Sequence, residues 1–587
     1  MKSRREVMRN GLGIFAAGAF GPTLGTAGAM GVGKAIENQG KGSVGPQTGT
    51  PGGVSLNELK SSRPLAPRSF DPKPRMIDGF PFKSWFEGDD FRDDIPFHSQ
   101  QNDFPGGQPP KPTEEINVAV IGGGISGMAA ARFLQDYNPV IFELHSRFGG
   151  NAQGGTINGA EFSLGSAYFI TPDPNTMLDD FYRDLGLHDV VRVDSIPAPV
   201  EINGEINDDI WTGMGVAKKD IPAYEAYRSL VMRMANDYPD VPFPEQWMID
   251  LDRLSLRQHI EQEMDMEVPA ALAAAIQAYC YASFAAGWEE ISATLGWNFL
   301  AAEEFGRWVL PGGNAWMANE LWKKLRKLDR KDPTHAPHLR PGRRTVDVRQ
   351  QDDGRWLVTW IEPDGTYKSL LAKEVVMACA KNIARHIIYG LENDDPDLYI
   401  AMRLPRRAYL VANVIVDRPI PRDFYDIFLL ENPEEFPMSD GQAANFWRYT
   451  DVTNGSFTPG PNANTIPQRP SVLTLYWPLP FDSARFTLIL GDPLLDYAQA
   501  LASKLRGTLE LVGLPESSVM EVRFARWGHA VPMSRVGFLA DGLHETLGRP
   551  YRDSLHFANQ DNWGMPAIEN AVISAFDASE AIKKRLG

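Results

Sequence analysis

A chain of 587 residues with 43% hydrophobic and 10% aromatic content can bury the cores of two or more domains, which excludes a disordered or fibrous protein. Its formal net charge of −17 argues against nucleic acid and anionic membrane as partners. Cys280 and Cys379 are the only cysteines, too few for a zinc cluster; no C-x-x-C-H haem site or H-E-x-x-H pattern occurs, so no metal is expected. Both cysteines sit in apolar stretches and are expected to be buried, unpaired thiols.

Ser3-Arg4-Arg5-Glu6-Val7-Met8-Arg9 resembles the twin-arginine export motif. Gly11 to Gly25 is apolar and glycine-rich but short for a membrane span, and Ala27-Gly28-Ala29 is an A-x-A-like cleavage site. The expectation is a signal peptide over 1–29, a periplasmic mature protein, and no integral membrane segment once the signal is removed. The resemblance implies export of a folded protein with its cofactor in place, which favours a tightly held group over a diffusing one. Residues 30–115 read as a linker and an extended arm. Within the arm Phe80, Phe82, Trp85, Phe86, Phe91 and Phe97 need cover, from the main body or from a partner protein.

Val118 to Ile121 is an apolar run suited to a buried parallel strand. Gly122, Gly124 and Gly127 follow as G-x-G-x-x-G, with Ser126 inside the motif, and lead into a predicted helix. Such glycines allow a tight turn, close approach of a pyrophosphate, and helix-on-strand packing. A second strand from Pro139 ends in Glu143, placed to accept a ribose hydroxyl. Glu143, Arg147 and the pair Gly149-Gly150 together resemble the flavin amine oxidase superfamily. The resemblance assigns Arg147 and the glycine pair to the phosphates of FAD, held without a covalent bond. It continues in "FSLGSAYFI", where Gly165, Ser166 and Tyr168 would pass the flavin ring, with Ser163, Ser166 and Asn151 departing from the family pattern.

Pro311-Gly312-Gly313 resembles a further family turn that opens a helix, whose apolar face carries Met317, Leu321, Trp322 and Leu325. Three strands with Asp-Gly turns are predicted next, and the resemblance makes Val346 a backbone contact to the adenine end. Trp527 and His529 in "RWGHAVPM" stand where relatives border the flavin. In "LHFANQDNWGMPAIENAVISAFDASEAI" the resemblance puts Asp561 on the ribityl chain and the N–H groups of Ala567 and Ile568 on the isoalloxazine. Pro566 is expected at the first helical position, and Ala571, Ala575, Ala578 and Ile582 form a stripe for close packing.

The expected fold is α/β: a discontinuous Rossmann-type FAD-binding domain (116–170, 306–402 and 520–587) with an α+β substrate domain (171–305 and 403–519), amine-oxidase-like. Tyr168, Trp527 and Trp563 are expected to converge on the isoalloxazine as catalytic-site aromatics, with His529 beside them. The resemblance implies an exported FAD-dependent oxidoreductase that moves hydride from a small organic substrate, an amine first, to flavin N5. Reoxidation would fall to oxygen or a periplasmic electron-acceptor protein. Ala567 replaces the usual cage aromatic, two residues before Glu569, and Asn413 lies where the family's lysine is sought. Two alternatives therefore stand: a desaturase, isomerase or dehydrogenase acting on a C–C or C–O bond, and a flavin-stabilised scaffold without activity.

Overall fold

The computed structural model describes residues 73–89, 104–105, 107–194, 198–331, 337–457 and 470–587; the signal-like segment, the linker, Phe91 and Phe97 lie outside them. The run Val118–Ile121 forms the buried end of the strand Pro112–Ile121. Val140–Phe142 and the latter half of Tyr367–Met377 flank it in parallel. Leu339–Arg340 and Leu555–Phe557 extend this parallel set at its two edges. Strands covered on both faces need apolar residues in succession, and the runs VAVI, VIF and VVM supply them. Arg344–Gln350 and Trp356–Ile361 complete an antiparallel meander with Tyr367–Met377.

The glycine turn opens the helix Ile125–Phe133, and the C-terminal helix Ile568–Leu586 packs on it. Ala575, Ala578 and Ile582 share one core with Met128 and Ala131, and Ser579 Oγ donates to Ala130 O at 3.4 Å. The C-terminal helix starts at Ile568 with Ala567 as its cap, so Pro566 stands just before the helix rather than at its first position. The helix Ala315–Lys331 follows the Pro311-Gly312-Gly313 turn, with Met317, Leu321 and Leu325 in the same core.

A ten-stranded mixed sheet forms the second layer system, with Val519–Pro532, Arg406–Val416, Ser471–Leu479, Asp451–Asn454 and Asp426–Glu431 as successive neighbours. Val519–Pro532, which the sequence reading gives almost wholly to the FAD-binding portion, pairs along its length with Arg406–Val416 in this sheet. The helix Pro493–Leu511 covers part of one face. On another face Tyr409, Val411 and Trp527 meet Phe162 and Leu164 of the nucleotide portion. The arm belongs to the same sheet: Arg75–Ile77 and Phe80–Phe82 form a hairpin, Phe82 pairs with Val522, and Phe82 stacks on Phe524.

A small sheet joins the two portions. Arg307–Val309 pairs antiparallel with Tyr168–Ile170 on one side and Arg192–Asp194 on the other. Cys280 is buried, Cys379 is partly exposed, and both are free thiols. Among the described residues no helix is long and apolar enough to cross a membrane, and no cluster of three His, Cys, Asp or Glu is arranged to hold a metal ion.

Candidate active site

The first turn carries the nucleotide argument. A Cβ on Gly127 would lie 1.9 Å from Gly122 O, so glycine there is required by the packing of helix on turn. Gly124 is different. Its φ is −74°, open to any residue, and an added Cβ would meet nothing closer than Gly150 Cα at 3.8 Å. The protein leaves space on that side of Gly124, bounded across by Gly149, which bridges to it, and by Gly150. The helix Ile125–Phe133 has no side-chain cap and no acid in its first turn, and Ser126 is buried there, so its N–H groups face an anion-sized need. A pyrophosphate fits this cradle.

Around the cradle the expected residues divide. Glu143 is buried; its Oε2 accepts from Gly123 N at 2.7 Å and its Oε1 from His145 N at 2.8 Å, which fixes the carboxylate at the strand end. Arg147 donates to Gly154 O at 2.7 Å and is largely exposed. Val346 is the bulged residue of its strand and is buried with Phe104 and Ile361. The Glu143 loop is held by backbone contacts from Arg343 N to Glu143 O and Gly342 N to His145 O, both 2.8 Å. Asp561 is buried and accepts from Arg406 Nη1 at 2.5 Å and Lys381 N at 2.8 Å. Arg406 also donates to His529 O, at 2.9 Å from Nη2, and Asn151 Nδ2 donates to Ala530 O at 2.7 Å. Asp561, Arg406 and the 529–530 backbone thus form one polar junction beside the glycine pair.

The end expected to face a flavin ring draws on several elements. Glu569 Oε1 accepts from Ile170 N at 2.8 Å, which ties the start of the C-terminal helix to the Tyr168 strand. Asn314, just after the glycine turn, donates to Ser166 Oγ at 2.6 Å and Tyr168 O at 3.1 Å. Trp527 Nε1 donates to Leu164 O at 2.7 Å, and Tyr476 Oη donates to Gly165 O at 2.9 Å. Asn413 Nδ2 donates to Ser163 O at 3.0 Å. Ala567, Ile568, Gly165 and Ser166 all stay partly accessible, and no side chain caps the helix at Ala567. Tyr168 and Trp527 therefore flank the Gly165-Ser166 backbone. Trp563 does not join them: it stacks on His544, centroids 5.8 Å apart, in the core cluster on another side of the parallel sheet. His529 points its ring at Arg485, Nε2 to Nη1 2.6 Å.

Behind Tyr168 lies a buried charged cluster that sequence reasoning missed. Arg307 makes a two-pronged contact with Asp426 (2.6 and 3.0 Å), pairs with Asp194, and reaches Glu303 at 3.3 Å. Its guanidinium lies beside the rings of Tyr168 and Tyr425, 5.3 and 5.1 Å from their centroids, and the two rings meet edge to face 5.9 Å apart. Tyr168 Oη and Tyr279 Oη both donate to Glu303 Oε1, at 3.2 and 2.9 Å. Burial pushes Glu303 up against the downward pull of Arg307. Burial also pushes Asp451 well above the carboxylate range, helped by Asp426, and raises Tyr168, helped by Glu303. Burial alone would lower Arg307, but Asp426, Glu303 and Asp194 more than reverse it. The available signal was an acid or arginine inside an apolar run: Arg307 before "WVL", Asp426 in "DIFLL", Asp451 in "YTDV".

Residues 120–185 match the family model of an NAD(P)-binding Rossmann-like domain. The chain is similar to the oxidoreductase PigB of Serratia sp., 22% identical over 543 residues that cover 81% of this chain and 76% of the relative. Among solved structures it is similar to putrescine oxidase bound to putrescine, with a TM-score of 0.59 at 16% identity, over 81% of this chain and all of that one. It is also similar to cyclohexylamine oxidase from Brevibacterium oxydans, with a TM-score of 0.56 at 16% identity, over 80% of this chain and 99% of that one. The fold is mixed α/β, with a Rossmann-like dinucleotide domain and the architecture of these amine oxidases.

Proposed function

We propose that the chain is a FAD-dependent oxidoreductase that takes hydride from a small organic substrate, an amine in the first reading. The observation that carries the nucleotide is Gly124, where neither backbone angle nor packing needs glycine and a bound pyrophosphate would. The oxidoreductase relative and the two amine oxidase structures support the chemistry. Gly124, Gly149, Gly150 and the Ile125 helix would hold the phosphates, Glu143 the ribose, and Ala567 and Ile568 the ring. When bound, FAD supplies the hydride acceptor. The chain's own residues do the rest. Trp527 and Tyr168 wall the cleft against water, and the Tyr168 hydroxyl, fixed by Glu303, holds a proton at its edge.

A second reading, oxidation at a C–C or C–O bond, rests on Asn413, whose amide is committed to Ser163 O where the family resemblance seeks a lysine. We further propose twin-arginine export to the periplasm, with oxygen or an acceptor protein taking the electrons.

Anaerobic bleaching of the yellow holoenzyme by small amines, alcohols or unsaturated lipids tests the reaction. Bleaching by an amine supports the first reading, by an alcohol or polyene the second, and by none of them a non-catalytic scaffold. The nucleotide assignment has its own test. Gly124→Ala should fold with wild-type circular dichroism yet be purified with little FAD. Gly127→Ala should lose fold and FAD together. A yellow Gly124→Ala protein would defeat the assignment.

A further inference from the structure

Tyr168, Glu303 and Tyr476 lie deep in the protein, yet each retains accessible surface, 21% of the side chain for Glu303. Side chains that are both deep and accessible border an internal space. Glu303 is therefore the acid of the cluster that faces this space, whereas Asp426 and Asp194 are turned into Arg307 and keep only 6% and 10% of their side-chain surface.

Glu303 stands among several buried acids. Asp194, Asp426 and Glu303 all reach Arg307, and Asp451, which burial pushes well above the carboxylate range, lies nearby. Carboxylates buried side by side are costly, and a proton is the smallest group that lowers the cost. Two hydroxyls end on Glu303 Oε1, one of them on Tyr168, the aromatic beside Gly165-Ser166. Among the described residues the Tyr425 hydroxyl has no partner, buried beside the same guanidinium, so the cluster has polar capacity that these residues leave unused. Four elements bring titratable or charged groups to Glu303: Tyr168, Tyr279, Arg307 and Asp426, with Asp194 reached through Arg307.

We infer that Glu303 is the proton acceptor of the cleft, receiving through the Tyr168 hydroxyl the proton that substrate loses as its hydride leaves for the flavin. This rests on the oxidoreductase reading above. The substrate H–C–X–H becomes C=X. The hydride, with both bonding electrons, goes to the flavin as oxidant. The X–H proton passes to Tyr168 Oη while the Tyr168 proton moves to Glu303 Oε1, so a carboxylate becomes a carboxylic acid and the tyrosine is restored. Glu303 acts through Tyr168 and is a positioning and relay group. A base with a raised affinity for protons suits the task near neutrality.

Infrared pH-difference spectra of the holoenzyme, without substrate, should show a buried carboxyl that titrates above the ordinary glutamate range. That band should vanish in Glu303→Gln and shift in Tyr168→Phe, which keeps the acid but removes one donor. With putrescine, cyclohexylamine and benzylamine as probes, Glu303→Gln should retain FAD but slow flavin reduction by about 10²-fold. It should also lose the low-pH limb of the rate profile, and Glu303→Asp should restore part of that limb. Titrating carboxyl bands that are the same in wild type and Glu303→Gln, or a variant with the wild-type limb, overturn the inference; bands of other raised acids, Asp252 among them, persist in both. Wild-type flavin that no probe bleaches counts against amine oxidation instead, and the infrared band then decides alone whether Glu303 is the proton-holding group.

Discussion

Asp252 shows how one buried side chain supports the site from outside it. It has no exposed surface; its oxygens accept from Ser292 Oγ, Leu539 N (2.8 Å) and Ala540 N (2.9 Å). Ser292 caps the helix Ala293–Leu300, and the turn that follows carries Glu303, so Asp252 anchors the entry to the charged cluster. Burial pushes the Asp252 carboxyl up to about 6, against the pull of those hydrogen bonds. The folded protein then binds this proton more tightly than the unfolded chain does. Its stabilising contribution is complete below the unfolded value of 3.8 and is lost as pH rises to about 6. Asp252→Asn cannot titrate. Urea titrations of both proteins at about pH 4 and pH 7 should show wild type losing about 2 kcal/mol relative to the variant over that interval. A difference that does not change with pH would mean the carboxyl has an ordinary affinity for its proton.

At the scale of elements, the arm contributes to the site more than its position suggests. Gly88 has φ +78°, and a Cβ there would lie 2.4 Å from Arg526 O and 3.2 Å from the Trp527 ring. Asp89 Oδ2 accepts from Gly528 N at 2.7 Å, in the same stretch of strand. The arm thus closes the open edge of Val519–Pro532, an edge that would otherwise invite pairing with another chain. Phe82→Ala removes a fully buried ring stacked on Phe524 and should cost about 3–5 kcal/mol in a denaturant titration. Gly88→Ala should instead displace Trp527 and lower FAD retention, read from the flavin absorbance of purified protein, with a smaller loss of stability. Equal effects of the two changes on FAD would show that the arm acts only through global stability. Elements of this kind also mark the limit of what was legible in the sequence. The glycine turn, the amphipathic helix after Pro311 and the C-terminal helix each carry their own spacing of glycines or apolar residues, and each stands where that spacing puts it. The sheet of Tyr168–Ile170, Arg307–Val309 and Arg192–Asp194 does not. Its strands have three residues each, too few for a period, and pair across long separations. For that reason Arg307 and its carboxylates showed only as charged residues inside apolar runs, and Trp563 was misplaced because a 3-10 turn over Gln560–Trp563 directs its ring toward His544.

The whole molecule sets the order in which the nucleotide site is completed. The glycine turn follows the strand Pro112–Ile121, but the parallel sheet gains Leu555–Phe557 only from the end of the chain. The uncapped helix start at Ala567 and the helix packed on Ile125–Phe133 also come from that end. Residues 555–587 therefore have to be made before the cradle and the start of the Ile568–Leu586 helix coexist. FAD bound as proposed would stabilise the folded chain by mass action, about 2.7 kcal/mol at a concentration one hundred times its dissociation constant. If export follows the twin-arginine route, loading precedes export. Changing Arg4 and Arg5 to Lys should leave unprocessed precursor in the cytoplasm that is yellow and as heat-resistant as the exported form. Removing residues 568–587 with the arginines intact should give a colourless chain that is not exported. The measurements are precursor size on a gel, flavin absorbance of each fraction, and the melting temperature with and without added FAD. Normal export of the double-lysine protein would remove the twin-arginine proposal. A truncated chain that still binds FAD would show that the C-terminal helix is dispensable for the cofactor, and that the order of assembly argued from the sheet is wrong.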